Sequence, residues 1–458
     1  MKTVLKCVVI YIVLTIFFVA SLVGASCIPS EAIHKNTTET AITMLLEGNR
    51  KIVNIPYRSF EMQFDNYSDA LMINTIYSID SNHPLESAFL NRKNYIEGKT
   101  KTVEADKVGE LSSSSKYQYH NEVGELYDLV NGEAEESFEY ARYWHGYIII
   151  LRILLTFLNL DAIRIFLFIV LFALAVVLFY LVQKKTNPLI GIIFEIGLFS
   201  VEYFYLAYTL QGVFVFLIAV IASIVLLIRS ETMKNKVPVF FVAGMLANFF
   251  DLLTVPMVTF AVPLIAVLLI NEKDNNTWKE IILETIKLGI AWLVGYGATW
   301  ITKWILVDII FNRNLLSVAL QQITYRSNAR SYTILEAIES NLQYETIIIP
   351  ATLLVTSIAT IICTRSNLLK NKHYKLTEIL PYIIVAMAPY IWYALIRNHS
   401  VEHSFFTYRN QIITVLGLNI FIHRFLAELT KKEEPREINN IEKFKDQISV
   451  NNETDKNK

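Results

Sequence analysis

Long uninterrupted apolar runs restrict the fold of this 458-residue sequence more than any other feature. Residues 162–182 carry a single charge, Arg164. A run of this length matches the roughly 20 residues that a helix needs to cross about 30 Å of hydrocarbon. A chain in lipid must satisfy its own backbone hydrogen bonds, so such runs form helices. With 53% hydrophobic residues, the composition excludes an ordinary soluble protein.

Similar runs recur along the whole chain and predict an all-α polytopic membrane protein with about ten transmembrane helices. The predicted spans are residues 4–24, 162–183, 187–206, 210–228, 237–254, 256–271, 281–305, 347–364, 377–396 and 406–423.

Basic residues fall mainly in alternate connections between these spans, whereas the short connections between them carry almost none. The basic set is Lys184, Lys185, Arg229, Lys234, Lys236, Lys273, Lys279, Arg365, Lys370, Lys372 and Lys375. The positive-inside rule therefore predicts a multi-pass cell-membrane protein with both termini in the cytoplasm. The net charge of −1 gives no indication of a nucleic-acid partner.

The first segment, residues 1–25, is predicted to be an uncleaved transmembrane anchor. A basic start, an apolar stretch and the small residues Ala25 and Ser26 also fit a cleaved signal peptide, and Cys27 leaves a lipoprotein site open. The anchor is favoured because it is longer than the apolar region of a signal peptide and makes the number of spans even. Cys7, Cys27 and Cys363 have no metal-ligand spacing.

The remaining chain divides by composition. Residues 26–161 form a first extracytoplasmic loop with amphipathic helices, 162–305 hold transmembrane helices 2–7, 306–346 form a second loop, 347–423 hold helices 8–10, and 424–458 form a cytoplasmic tail predicted to be disordered. Within the first loop we predict a helix over 68–79 capped by Ser68, a mobile polar stretch over 100–120, and an interfacial helix within 138–160.

Many ionisable residues map to the extracytoplasmic half, and they come from different helices and loops. Charges near or inside spans are costly and usually face a protein interior or an aqueous cavity, so this set predicts a polar cleft. Its main candidates are Asp65, Asp69, Arg142, His145, Arg152, Glu202, Asp251, His403 and Arg409. Loop polarity, stabilisation of a helix N-terminus by Asp69, and arginines that extend to lipid headgroups are the alternative interpretations.

The order of these features resembles a known family. An anchor is followed by a large external loop with Asp65-Asn66-Tyr67-Ser68-Asp69, then by Tyr140-Ala141-Arg142-Tyr143-Trp144-His145-Gly146 and Leu151-Arg152. Later come Phe250-Asp251-Leu252-Leu253-Thr254-Val255-Pro256, then His399-Ser400-Val401-Glu402-His403 and Phe405-Phe406-Thr407-Tyr408-Arg409. This layout is similar to that of polytopic glycosyltransferases of the GT-C fold, a group that includes protein O-mannosyltransferases and lipid A aminoarabinose transferases.

The resemblance implies an inverting cell-envelope glycosyltransferase that uses a polyprenyl-phosphate sugar at the outer face of the bilayer. Asp69 or Asp65 would be the general base. Arg409, Arg142 and Arg152 would bind the departing lipid phosphate. The other candidates, His145, Glu202, Asp251 and His403, would line the substrate cleft, and aromatic residues such as Tyr143, Trp144 and Tyr147 would stack on the sugar or form an interfacial belt.

No cofactor is implied, although the two first-loop aspartates leave a divalent cation open. The acceptor, whether glycan, lipid or protein, is not specified by these motifs. Two other classes of function remain as alternatives, a polytopic transporter or flippase and a non-catalytic membrane assembly subunit. The absence of a visible internal repeat and of charges in most mid-span positions favours the enzyme over the transporter.

Overall fold

The computed structural model describes residues 2–53, 62–96, 101–104, 116–119, 121–134, 136–272, 277–327, 332–366, 368 and 374–430. The predicted tail after residue 430 and most of the polar stretch 100–120 lie outside this part of the chain. Within it, the chain is an all-α polytopic membrane protein, with eight helices long and apolar enough to cross a bilayer.

The N-terminal third consists of one long helix and a folded loop. The helix is α1 (Lys2–Ser26), and the loop contains α2 (His34–Glu47), β1 (Arg50–Val53), β2 (Met62–Asp65), α3 (Asn66–Tyr77), α4 (Pro84–Leu90), β3 (Arg92–Tyr95), β4 (Lys101–Glu104), β5 (Lys116–Tyr119), α5 (Glu122–Val130), β6 (Glu136–Glu139) and α6 (Ile148–Leu155). The strands form three antiparallel pairs, β1 with β2, β3 with β6 and β4 with β5. These pairs add short strands to a loop that was predicted to be partly helical, with no strands specified.

The remaining elements form the membrane bundle and its connections. They are α7 (Leu160–Lys185), α8 (Pro188–Ser200) with a 3-10 helix at Tyr203–Tyr208, α9 (Leu210–Ile228), α10 (Val237–Phe250), α11 (Val258–Asn271), α12 (Trp278–Phe311), α13 (Leu315–Ser327), α14 (Ile334–Leu342), α15 (Ile348–Arg365), α16 (Leu376–Ala386), α17 (Ala388–Leu395), α18 (Arg397–Glu402), α19 (Ser404–Thr407), a 3-10 helix at Tyr408–Gln411, and α20 (Ile412–Leu429).

Each of the ten predicted spans coincides with helical structure, but two of them are short. Helices α10 and α11 have 14 residues each, fewer than a perpendicular crossing requires. Both are mostly buried among other helices, so protein rather than lipid surrounds them. Two helices extend several residues beyond the predicted spans, since α12 continues to Phe311 and α20 to Leu429.

Two glycines allow α10 and α12 to pack with their backbones in contact. A Cβ atom at Gly244 would lie 2.1 Å from the carbonyl oxygen of Trp292, and one at Gly295 would lie 2.2 Å from that of Phe241. No side chain fits into that space. Close approach through small residues is a common way for helices to associate in membranes.

The first loop is joined to one end of the bundle by hydrogen bonds. The Gly146 amide donates to the Phe249 carbonyl at 2.8 Å, and the Trp144 indole donates to the Thr299 carbonyl at 2.8 Å. The indoles of Trp300 and Trp304 both donate to the Arg142 carbonyl at 3.0 Å. We call this the loop end of the bundle, and we call the opposite end, where Lys185 and Lys236 lie, the basic end.

Candidate functional site

The two first-loop aspartates lie at the loop end, against the start of α9. Asp69 is fully buried, and its two carboxylate oxygens accept backbone N–H groups of Leu210 at 2.8 Å and Gln211 at 3.2 Å. These are the first two residues of α9, so a side chain from the loop satisfies donors that a helix N-terminus leaves unpaired. Asp69 therefore caps a helix other than its own.

Asp65 is the N-cap of α3, which begins at Asn66 and ends at Tyr77 rather than covering 68–79 as predicted. The Asp65 carboxylate accepts the Ser68 amide at 3.2 Å and the Ser68 hydroxyl at 2.6 Å. It also accepts the Gln211 side-chain amide at 2.8 Å. Ser68, which the sequence predicted as the cap, instead donates hydrogen bonds to Asp65, the residue that caps the helix. Gln211 contacts both aspartates. The sequence distinguishes Gln211 only as a polar residue in the first turn of an apolar span.

Burial changes the acid–base behaviour of Asp69. Transfer from water raises the pKa of its carboxyl to about 7, against the opposing effect of the two backbone N–H donors and of nearby Arg164. A carboxyl with this pKa exchanges its proton near neutral pH, which is the property expected of a general base. In this structure, however, both oxygens are occupied by the α9 backbone.

A pocket of about 550 Å³ opens beside Arg164, near Asp69. Arg164 forms a bidentate pair with Glu47, with both N–O distances at 2.8 Å. The other lining residues are Asp161 and the mainly aromatic set Ile165, Phe168, Phe204, Tyr205 and Tyr208. Phe168 is 45% exposed, as expected for a lipid-facing side chain. The pocket therefore combines one polar corner with aromatic walls.

A second polar group at the loop end surrounds Asp251, the residue that follows α10. Its carboxylate accepts the Thr254 amide at 3.0 Å and the Thr254 hydroxyl at 2.5 Å. The phenol of Tyr143 lies within electrostatic range of Asp251, Arg142 and Arg326, and Tyr296 lies within range of Asp251 and Arg326. We call Arg142, Tyr143, Asp251, Tyr296 and Arg326 the arginine–aspartate cluster. The guanidinium of Arg142 lies 4.9 Å from the ring centre of Tyr140 and 5.5 Å from that of Tyr143.

Two histidines extend this cluster. His399 is hydrogen-bonded to the Leu253 carbonyl at 2.7 Å, and its ring lies 4.7 Å from that of His403. Burial, assisted by the positive charge of Arg326, lowers the pKa of His403 to about 4 and holds the pKa of His399 well below its usual value. Both rings are therefore neutral at neutral pH.

The third group contains Glu202 and Arg409. Glu202 has a φ of 52° and accepts a hydrogen bond from the Tyr408 hydroxyl. Arg409 is 3% exposed, its Nε donates to the Val201 carbonyl at 3.3 Å, and its Nη2 has no hydrogen-bond partner. The next residue, Asn410, is fully buried, and neither polar atom of its side chain has a partner. No sequence pattern had indicated Asn410.

Two predicted substrate-binding residues make internal contacts. Arg152 is fully buried, donates to the carbonyls of Ile28 and Ile76, and lies 3.3 Å from the Ser30 hydroxyl. It thus joins α6 to the ends of two other elements, and burial lowers its pKa to about 10. His145 is hydrogen-bonded at 2.7 Å to both the Tyr147 hydroxyl and the Tyr140 carbonyl.

The predicted aromatic platform is also internal. Trp144 and Tyr147 are each 1% exposed, and Tyr143 is 4% exposed. These rings are therefore not at a surface where they could stack on a sugar or form an interfacial belt. Trp144 packs instead against Phe18 of α1 and Phe249 of α10, with its indole hydrogen-bonded to α12. These rings hold the loop against the bundle.

The loop end thus brings the predicted residues together in three groups: Asp65 and Asp69 beside Gln211 and Arg164, Arg142 and Asp251 with His403 nearby, and Glu202 with Arg409. Arg152 and His145 lie in the interior of the first loop. Within the described ranges, no three His, Cys, Asp or Glu side chains form a group that could hold a metal ion. Comparisons of the chain with protein-family models, curated proteins and solved structures return no match.

Proposed function

We propose that this protein is an inverting membrane glycosyltransferase that takes its sugar from a polyprenyl-phosphate donor at the loop end. The observation that carries the proposal is the state of Arg409. Its guanidinium is buried, one nitrogen has no hydrogen-bond partner, and no carboxylate in the described part of the chain forms an ion pair with it. A buried charge is costly without a counter-ion, so an anionic ligand is the expected partner.

Two other arginines at the same end, Arg142 and Arg326, also form no ion pair with the described carboxylates. By contrast, Arg164, Arg313 and Arg424 are all paired with glutamates. Guanidinium groups bind phosphate through paired N–H donors, so a phosphate ester suits the unpaired set. The pocket beside Arg164 would give the prenyl chain of the donor an aromatic and partly lipid-exposed surface.

The proposed reaction needs one base and one anion site. The acceptor hydroxyl oxygen attacks the anomeric carbon and its proton passes to an aspartate, while the bond from that carbon to the phosphate oxygen breaks and the lipid phosphate leaves with the electron pair. Asp69 is the first candidate for the base because its pKa is close to neutral. Asp251 is the second, because it lies in the same cluster as Arg142 and Arg326.

Binding of radiolabelled polyprenyl phosphate to the purified protein tests the anion site. Arg409→Ala should weaken binding about 10- to 100-fold, the usual worth of hydrogen bonds to a charged group. Arg313→Ala is the matched control, since Arg313 is exposed at the same end and already paired with Glu139 at 2.8 Å. Equal binding by the wild type and Arg409→Ala, or an equal loss in the control, would contradict the proposed role of Arg409.

The turnover rate with polyprenyl-phosphate sugars as donors then shows which of the two aspartates is the base. Replacement of the true base by asparagine should lower the rate by about two to four orders of magnitude while donor binding is retained. Asp69→Asn and Asp251→Asn are compared at matched amounts of folded protein. If neither variant loses turnover, the loop end holds no catalytic carboxylate of the kind proposed.

A further inference from the structure

A pocket at the basic end, far from the proposed transferase site, has the composition of an anion site. It has a volume of about 460 Å³ and lies between the ends of α7, α9 and α11 and the turn that precedes α10. Its lining residues are Lys185, Ser230, Glu231, Met233, Lys234, Lys236, Ile270 and Asn271. Three lysines face one glutamate, so the lining carries a net positive charge.

The lysines of this pocket are only partly neutralised. Lys185 pairs with Glu231 at 2.8 Å, but the Glu231 side chain is 84% exposed, and such surface pairs contribute little. Lys236 pairs with Glu284 at 3.0 Å and also contacts Asn271. Lys234 takes part in none of the ion pairs among the described residues. An incoming anion would therefore meet available positive charge.

A polar atom of a residue that lines the pocket is also without a partner. The side-chain oxygen of Ser230 is enclosed and makes no hydrogen bond. A buried hydroxyl normally finds a partner, because leaving it unpaired costs about 1–3 kcal/mol. After a rotation of the Ser230 side chain into the pocket, an oxygen-rich ligand such as a phosphodiester would accept this hydrogen bond while its charge faced the lysines.

The surface beside the pocket is apolar. On α9, Ile221, Val225 and Ile228 are exposed at spacings of four and three residues, which places them on one face of the helix. That helix ends two residues before Ser230. An acyl chain could lie along this face with its headgroup in the pocket, an arrangement that is not available to a soluble phosphate ion.

We propose that this pocket binds the headgroup of an anionic phospholipid from the leaflet at the basic end. The phosphate would contact Lys185, Lys234 and Ser230, and its acyl chains would lie against α9. Such a lipid would join the ends of three helices that are not consecutive in the chain, because α8 lies between α7 and α9 and α10 lies between α9 and α11. This inference does not depend on the proposed transferase activity.

Native mass spectrometry of the purified protein with phosphatidylglycerol and phosphatidylcholine tests this site. Phosphatidylglycerol should bind more tightly, and the double variant Lys185→Gln/Lys234→Gln should weaken it about ten- to thirty-fold, given roughly 1 kcal/mol for each lysine near an anionic surface. Lys185→Arg/Lys234→Arg should retain binding, because both charges remain. Size-exclusion profiles establish that each variant is folded.

The matched control is Lys279→Gln/Lys375→Gln, which removes two exposed lysines at the same end but outside the pocket. Only the pocket variant should lose phosphatidylglycerol. An equal loss of phosphatidylglycerol binding in the control would show that general surface charge, and not this pocket, binds the lipid. Equal binding of phosphatidylcholine, or full displacement of the lipid by millimolar inorganic phosphate, would overturn the proposal of an anionic-lipid site.

Discussion

Asp69 shows how an acidic residue of a loop can satisfy the backbone donors of a helix that lies far away in the sequence. Charge sidedness predicts that Asp69 lies on the extracytoplasmic side, and stabilisation of a helix N-terminus was one of the alternative interpretations of this residue. The sequence did not indicate which helix Asp69 caps, because Leu210 is 141 residues away along the chain. Only the folded loop brings that backbone to the carboxylate, and no local pattern reports such a contact.

The first prediction concerns the cap itself. Asp69→Asn should lower the free energy of unfolding by about 1–3 kcal/mol, because one side of the amide would present an N–H donor to a backbone donor of α9. The measurement is thermal denaturation in detergent. Glu31→Gln makes the same change of charge at an exposed position of the same loop and should have little effect. A variant as stable as the wild type would show that the two hydrogen bonds contribute nothing.

The second prediction follows from the pKa of Asp69. That pKa is raised from 3.8 to about 7, so the folded protein binds a proton more tightly than the unfolded chain does. Between these two values, stability attributable to Asp69 falls as the pH rises. The advantage of the wild type over Asp69→Asn should therefore shrink by about 2 kcal/mol between pH 5 and pH 8. A pH-independent difference between the two proteins would contradict this assignment.

At the scale of elements, the helices were more predictable than the loop. Hydropathy is a local property, and each of the ten apolar runs that it predicted as a span is helical, although only eight helices in the described part of the chain are long and apolar enough to cross a bilayer. The strand pair of β3 with β6 joins Arg92–Tyr95 to Glu136–Glu139, and nothing in either segment identifies its partner. The same reason explains the missed 3-10 turn at Tyr408–Gln411, whose buried polar residues depend on neighbours distant in sequence.

The third prediction tests the contact between α10 and α12. Gly244→Ala or Gly295→Ala should strongly reduce the yield of folded protein, since each new methyl group would lie about 2 Å from a backbone oxygen that cannot move alone. Gly297→Ala is the control on α12, because no atom lies within 4 Å of its added Cβ. Fluorescence-detected size exclusion measures all three. Normal yields for the first two variants would mean that these helices are farther apart.

At the scale of the molecule, charge sidedness predicts that the loop end faces outward and that both termini are cytoplasmic. Cys27 is exposed at the loop end, and Lys279 is exposed at the basic end. In intact cells a membrane-impermeant maleimide should label Cys27, with Cys7 and Cys363 replaced by serine, but should leave a Lys279→Cys variant unlabelled until the membrane is permeabilised. The opposite labelling pattern would invert the topology and remove the outer-face enzyme from consideration.

The Ser112–Ser115 stretch, also expected outside, lies beyond the described ranges and offers a second position for the same labelling.

The sequence predicts that all nine candidate residues line one cleft, whereas the contacts among the described residues divide them differently. They give three neighbouring groups at one end, and two residues inside the loop. The reason is that arginine and histidine serve equally well as internal hydrogen-bond donors and as ligands, and composition cannot distinguish these uses.

The cap that Asp69 provides for α9 also has a consequence for biogenesis. The ribosome delivers the first loop before α9, yet the N-terminus of α9 keeps unsatisfied backbone donors until the loop has folded and docked onto it. A loop that misfolds would leave the bundle incomplete even if every span had inserted correctly. The loop would then act as a checkpoint, through which a quality-control protease could recognise bundles that have been inserted but not yet completed.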